Sequence, residues 1–142
     1  MQGFSIILMQ EPYVGAKAHL SVGSQYRVIQ KVTHDISKPV RSAIVVTDPT
    51  IQFSVNPNFH SEDIVGVELK LGYIKIGIIS MYLHEKGNLD EDLQIIKKYI
   101  SSMKTEDIII GGDANAKSIW WGCNADDNRG KTIMEALAEV NL

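Results

Sequence analysis

The residues best suited to chemistry lie in Ile108-Ile109-Ile110-Gly111-Gly112-Asp113-Ala114-Asn115-Ala116. An apolar run delivers a carboxylate and, two residues on, an amide. Asp113 can orient or deprotonate a water, and Asn115 can donate a hydrogen bond to an oxygen as charge builds on it. The glycines permit close backbone approach and unusual φ values. A plain strand-to-loop turn uses the same residue types, so this segment alone leaves both readings open. It is neither a P-loop, which needs Gly-Lys-Ser/Thr, nor a dinucleotide motif, which needs G-x-G-x-x-G opening a helix.

Two further segments follow the same plan. Leu8-Met9-Gln10-Glu11-Pro12-Tyr13 ends an apolar run on the Glu11 carboxylate. A hard cation such as Mg²⁺ binds through one or two carboxylates and keeps waters for a substrate phosphate; a solvated strand-end Glu is the plain alternative. Ile78-Ile79-Ser80-Met81-Tyr82 ends on a phenol that can point into a cleft or simply pack. Taken together, the three are strands that run apolar and finish in a polar group at one rim.

The elements that carry these groups follow from hydrophobic periodicity. Ser5 to Met9 reads as a strand buried on both faces, stopped by Pro12. Residues 14 to 25 make a loop, and Tyr26 to Val32 and Ser42 to Thr47 are strands. Alternation at Ile51, Phe53 and Val55, and again at Val65, Val67, Leu69 and Leu71, marks half-buried strands. Ile64–Leu71 and Tyr73–Tyr82 form a hairpin through Gly72. Asn88, with Glu91 three residues on, caps a helix along Leu89, Leu93, Ile96, Ile100 and Met103, with Lys97, Lys98 and Lys104 near the negative end of its dipole. Asp107 to Ile110 is a buried strand. A polar loop from Asn115 to Asn128 leads to a second helix from about Gly130, with Ile133, Leu137 and Val140 on one face. Antiparallel strands first and βαβ-like elements later predict an α+β fold, with helices outside sheets.

Composition sets the outer bounds. The chain has 142 residues, suited to one domain, and 44% hydrophobic content, too high for disorder. A net charge of −3 argues against a broad basic nucleic-acid surface but not against an enzyme whose metal supplies positive charge. A single cysteine, Cys123, excludes an internal disulfide and fits an intracellular location. No apolar run approaches the roughly 20 residues of a membrane span. Met1-Gln2-Gly3-Phe4 lacks a signal-peptide n-region and reads as a strand start with almost no lead-in. Both ends read as cut.

These motifs, in this order, resemble the endonuclease/exonuclease/phosphatase superfamily. Gln10-Glu11 is similar to its Q-E motif, Tyr82 to its central Tyr, and Gly112-Asp113-Ala114-Asn115 to its G-D-x-N. The endonuclease of non-LTR retrotransposons is matched in more detail, through Gln10-Glu11-Pro12-Tyr13, Arg41-Ser42-Ala43-Ile44, Trp121-Gly122 and Asn128-Arg129-Gly130. The resemblance implies a partial two-sheet β-sandwich flanked by helices, DNase I-like, over the whole of 1–142 as a single partial domain, without the family's first strand or its C-terminal strands. It implies that Glu11 binds Mg²⁺ or Mn²⁺, that Asp113 orients the attacking water, and that Asn115 and Tyr82 contact the scissile phosphate. Arg41 can touch a phosphate or form a structural ion pair. Trp121, Gly122, Arg129 and Gly130 are scaffold, and Trp120 either packs or stacks on a base. The partners implied are a DNA substrate, met in the nucleus, and a reverse-transcriptase domain downstream, with no membrane.

The family also carries an S-D-H motif whose His serves the phosphate. His19, His34, His60 and His84 match no such motif and read as surface or loop residues, with His84 notable for its closeness to Tyr82. The expectation is metal-dependent DNA strand nicking, weak or absent in these 142 residues alone. The alternatives are a catalytically dead remnant and a superfamily phosphatase or phosphodiesterase acting on a lipid-derived phosphoester.

Overall fold

In a computed structural model, residues 3–142 are described; Met1 and Gln2, part of the expected lead-in to the first strand, lie outside the described residues. The apolar runs assort into two sheets. The first contains β1 (Ile6–Gln10), β2 (Arg27–Ile29) and β3 (Ser42–Val46), with β3 central and antiparallel to both neighbours. The second runs β4 (Gln52–Ser54), β5 (Ile64–Leu71), β6 (Ile74–Tyr82) and β7 (Ile108–Asp113) in sequence order. Its β4–β5 and β5–β6 pairs are antiparallel, and β6–β7 is parallel. A parallel pair needs a crossover, and α1 (Leu89–Ser102) supplies it between β6 and β7; α2 (Asn128–Ala138) follows β7.

Strand alternation sorts side chains into three clusters, the smallest being Leu20, Val40, Ala43 and Val45 on the outer face of β3. On β5, Val65, Val67 and Leu69 join Ile44, Val46 and Ile78 between the sheets. Ile64 points the other way and packs with Ile79, Met81 and Leu83 against Leu93, Ile96 and Tyr99 of α1 and Ile133 of α2. The second sheet is therefore covered on both faces along β5 and β6, and each of their large buried aliphatic side chains stabilises the fold by about 1.5–3 kcal/mol. Among the described residues no helix is long and apolar enough to cross a membrane.

The structure departs from the sequence reading at several elements. β1 and β7 were expected to be buried strands, yet Ile7 is partly exposed and Ile109 is 55% exposed. Ile6 and Leu8 of β1 and Ile108 and Ile110 of β7 pack against cores, but the opposite face of each strand is uncovered at Ile7 and Ile109; a short apolar run cannot distinguish these cases. β2 and β4 are shorter than their patterns. β4 gives way to a 3₁₀ turn at Pro57–Phe59, where Asn56 accepts from the Asn58 N–H. α2 starts two residues before Gly130, because Asp127 caps it by accepting from the Gly130 N–H at 2.6 Å. No basic residue occupies the last turn of α1; Lys97 pairs with Glu139 just past α2 instead. His60 lies in a loop but is buried, its ring beside that of Tyr99.

Candidate active site

The three polar strand ends meet because β1 crosses the second sheet at β6 and β7. The approach is close at Gly111: a Cβ there would come within 2.6 Å of Leu8 Cδ1, so the Leu8 side chain would have to shift. Gln10 fixes the crossing. Its Nε2 donates to Ser80 Oγ at 3.1 Å, and Ser42 Oγ donates to the same oxygen at 2.8 Å. Ser42 and Ser80 are fully buried, so this short polar link ties β1, β3 and β6 inside an apolar core, with its groups satisfying one another.

Glu11 follows directly on β1. Its φ of 47° lies in the left-handed region, which a non-glycine residue occupies at a cost. Its N–H donates to the Arg41 carbonyl at 2.7 Å. The Glu11 side chain is exposed, whereas Tyr82 is 8% exposed. The Glu11 carboxylate and the Asn115 amide both act on the Tyr82 phenol. Burial does most to push its pKa up, Glu11 raises it further, and Asn115 and Arg41 pull it back.

Tyr82 and Asp113 are the last paired residues of β6 and β7. The turn between Asp113 and Asn115 is closed by the Asp113 carboxylate, which accepts from the Asn115 N–H at 2.9 Å. Asn115, with φ of 45°, also donates from Nδ2 to the Leu83 carbonyl at 3.1 Å. Gly112 has φ of 147°, and a Cβ there would lie 1.9 Å from the Met81 carbonyl oxygen. Only glycine fits, which gives the glycine before Asp113 a steric reason.

Glu11, Tyr82 and Asn115 thus form one group, and Asp113 adjoins it through both its strand partner and Asn115. Arg41 takes the ion-pair alternative: Nε and Nη2 hold the Asp63 carboxylate at 2.5 and 2.7 Å. The scaffold residues behave as scaffold. Arg129 donates to the carbonyls of Ala114, Leu83 and His84, joining the ends of β6 and β7. Trp121 Nε1 donates to the Ala116 carbonyl, Gly122 has φ of 88°, and a Cβ on Gly130 would strike the Lys117 carbonyl at 2.0 Å. Trp120 is 76% exposed on the same turn.

Two participants had no signal in the sequence. Asp63 holds Arg41 and accepts the Tyr82 N–H at its carbonyl. Asp92, on α1, is half-buried near Asp63, Arg41 and Arg129; burial and then the Asp63 charge raise its pKa to about 6. Neither residue falls in a motif, and both are brought in by tertiary packing.

The donor set is oxygen-rich: a carboxylate, a phenol and an amide, with a second carboxylate beside them. That suits a hard cation rather than zinc. Among the described residues no group of three His, Cys, Asp or Glu side chains could hold a metal. A cavity of about 460 Å³, lined by Phe53, Lys75, Tyr99 and Lys104, lies toward the far end of β6 and is a separate feature.

Comparison with known proteins bears on the fold and the family. The family model described as Endonuclease-reverse transcriptase matches residues 76–142, the part that carries Tyr82, Asp113 and Asn115. Among solved structures, the endonuclease domain of TRAS1, a telomere-specific non-LTR retrotransposon, is 33% identical with a TM-score of 0.80. The match covers 96% of this chain and 58% of that one, so the chain spans somewhat over half of that domain's length. No curated protein matches. The family resemblance read from the motifs is borne out. The fold is that of a retrotransposon endonuclease domain, DNase I-like.

Proposed function

We propose that this chain, which shares its fold and its family segment with retrotransposon endonuclease domains, carries the metal-binding and water-orienting part of a phosphodiesterase site that nicks DNA. The observation that supports this most is the pairing of Tyr82 with Asp113 at the ends of β6 and β7, with Asn115 bonded to Asp113 on the turn and Glu11 and Asn115 both acting on the Tyr82 phenol.

Glu11 would hold Mg²⁺ or Mn²⁺, which supplies charge neutralisation at a phosphate oxygen and polarises what it binds. Asp113 accepts a proton from, or orients, the attacking water; its exposed carboxylate leaves one oxygen beyond the bond to Asn115. The Tyr82 hydroxyl and the Asn115 amide donate to phosphate oxygens as negative charge develops. The turn fixes these donors in advance, so little reorganisation is needed at the moment of reaction.

DNA is favoured over a lipid phosphoester by the exposed Trp120, on the turn that follows Asn115. An aromatic face presented to solvent a few residues beyond Asn115 suits a nucleobase. A reverse-transcriptase domain downstream and action in the nucleus fit the same reading.

The test is a supercoiled-plasmid assay with Mg²⁺, comparing the chain and its longest available natural context with the Asp113→Ala variant of each. Conversion to open circles that needs Mg²⁺ and is lost in Asp113→Ala supports the reading. Hydrolysis of a lipid phosphoester in preference to DNA, or nicking unaffected by Asp113→Ala, overturns it.

A further inference from the structure

Arg41 lies at a junction of both halves of the site. Its carbonyl accepts the N–H of Glu11 at 2.7 Å, and its guanidinium carbon lies 5.5 Å from the centre of the Tyr82 ring. Asp63 takes two donors of that guanidinium in a bidentate pair, and the Asp63 carbonyl accepts the Tyr82 N–H at 2.8 Å. The N–H groups of Arg41 and Ser42 both donate to the Glu62 carbonyl, at 2.7 and 3.0 Å. The Glu62–Asp63 segment therefore clasps the start of β3 and, through Tyr82, the end of β6.

Glu11 gives this clasp a purpose. Its left-handed φ of 47° is a conformation that persists only where the surroundings hold it. The hold visible here is the Arg41 carbonyl, and Arg41 is itself fixed by Asp63. A bidentate Arg–carboxylate pair restrains geometry more tightly than a single ion contact. A guanidinium stacked near a phenol ring adds a further contact to Tyr82.

We propose that Arg41 and Asp63 are a positioning pair that sets Glu11 relative to Tyr82, and that Arg41 does not serve as the phosphate contact. The pair acts through the backbone of Glu11 and the ring and backbone of Tyr82. It rests on the reading of Glu11 and Tyr82 as active-site groups, but its structural consequence stands independently of catalysis. Asp92 and Arg129 face the pair from α1 and α2, so the surroundings contain one further carboxylate and one further guanidinium.

The experiment uses the whole chain with Arg41→Met, Arg41→Lys and Asp63→Asn. Amide hydrogen exchange at Glu11 and Tyr82 is followed by NMR, together with Mn²⁺ affinity and the affinity for duplex DNA at several salt concentrations. Loss of a charge-assisted pair should speed exchange at both amides and weaken Mn²⁺ binding by about tenfold or more in Arg41→Met and in Asp63→Asn alike. Exchange at Ile64 and Ile79 should stay as in the wild type, and DNA affinity should change by less than about twofold. Arg41→Lys should remain impaired, because an ammonium lacks the planar fork.

Unchanged exchange at Glu11 and Tyr82 in both charge-removing variants overturns the proposal. So does weaker DNA binding with a shallower salt dependence in Arg41→Met while Asp63→Asn behaves as wild type, since that pattern belongs to a direct phosphate contact. If wild-type protein binds no Mn²⁺, the metal reading fails, and the exchange pattern still decides the fate of the pair. Should Arg41→Met fail to fold, Asp63→Asn and Arg41→Lys carry the same comparison.

Discussion

Tyr82 and Asp113 face one another as the final paired residues of the parallel strands β6 and β7. This register brings a buried phenol and an exposed carboxylate to the same rim, and the turn from Asp113 to Asn115 then returns an amide to the phenol.

Asp113→Asn separates chemistry from shape. The amide oxygen can still accept the Asn115 N–H, so the turn should survive, while the proton acceptor is lost. Nicking in a competent context should fall by on the order of 10²–10⁴, with the melting temperature within a few degrees of wild type. A variant that nicks normally would remove Asp113 from the water-orienting role.

Gly112→Ala should destabilise the protein by more than about 2 kcal/mol, through both its positive φ and the overlap with the Met81 carbonyl. Urea unfolding measures this directly. An unchanged midpoint would mean that β7 does not hold the conformation described.

The fold and the site were legible to different depths. Strand alternation located β5 and β6, and the Asn88 cap located α1, because both signals are local. The Q-E and G-D-x-N motifs pointed to Glu11, Asp113 and Asn115. The one-sided cover of β7 was not legible, since Ile108-Ile109-Ile110 reads the same whether one face is covered or two. Asp63 and Asp92 were invisible for a related reason: each acts through a partner distant in sequence, and a lone Asp before a strand or inside a helix carries no mark of its partner.

Asp92 offers a pH signature. Burial and the neighbouring Asp63 hold its folded pKa at about 6, above its value of 3.8 in an unfolded chain. The protonated form is thus favoured by folding. The stability linked to this group is fully present below about 4 and is lost as pH rises through about 6. Asp92→Asn should lack this decline, so its urea midpoint relative to wild type should rise between pH 4 and pH 7. A constant difference across that range would contradict the raised pKa.

The two adjacent tryptophans should separate cleanly. Trp120→Ala should leave stability within about 0.5 kcal/mol of wild type while weakening single-stranded DNA binding by an amount on the order of 1–3 kcal/mol. Trp121→Ala should lower stability, because it removes the bond to the Ala116 carbonyl. Fluorescence titration with an oligonucleotide and thermal unfolding check both; equal DNA affinity in wild type and Trp120→Ala would remove Trp120 from the substrate surface.

The central claim is that Glu11, Tyr82, Asp113 and Asn115 form one divalent-cation and phosphate site. Paramagnetic broadening of backbone resonances by Mn²⁺ tests it without requiring turnover. Binding should be weak, since one carboxylate holds such an ion poorly. Broadening should centre on residues 10–12, 82–84 and 112–116 and vanish in Glu11→Gln. Broadening centred elsewhere, or equally strong in Glu11→Gln, would contradict the account.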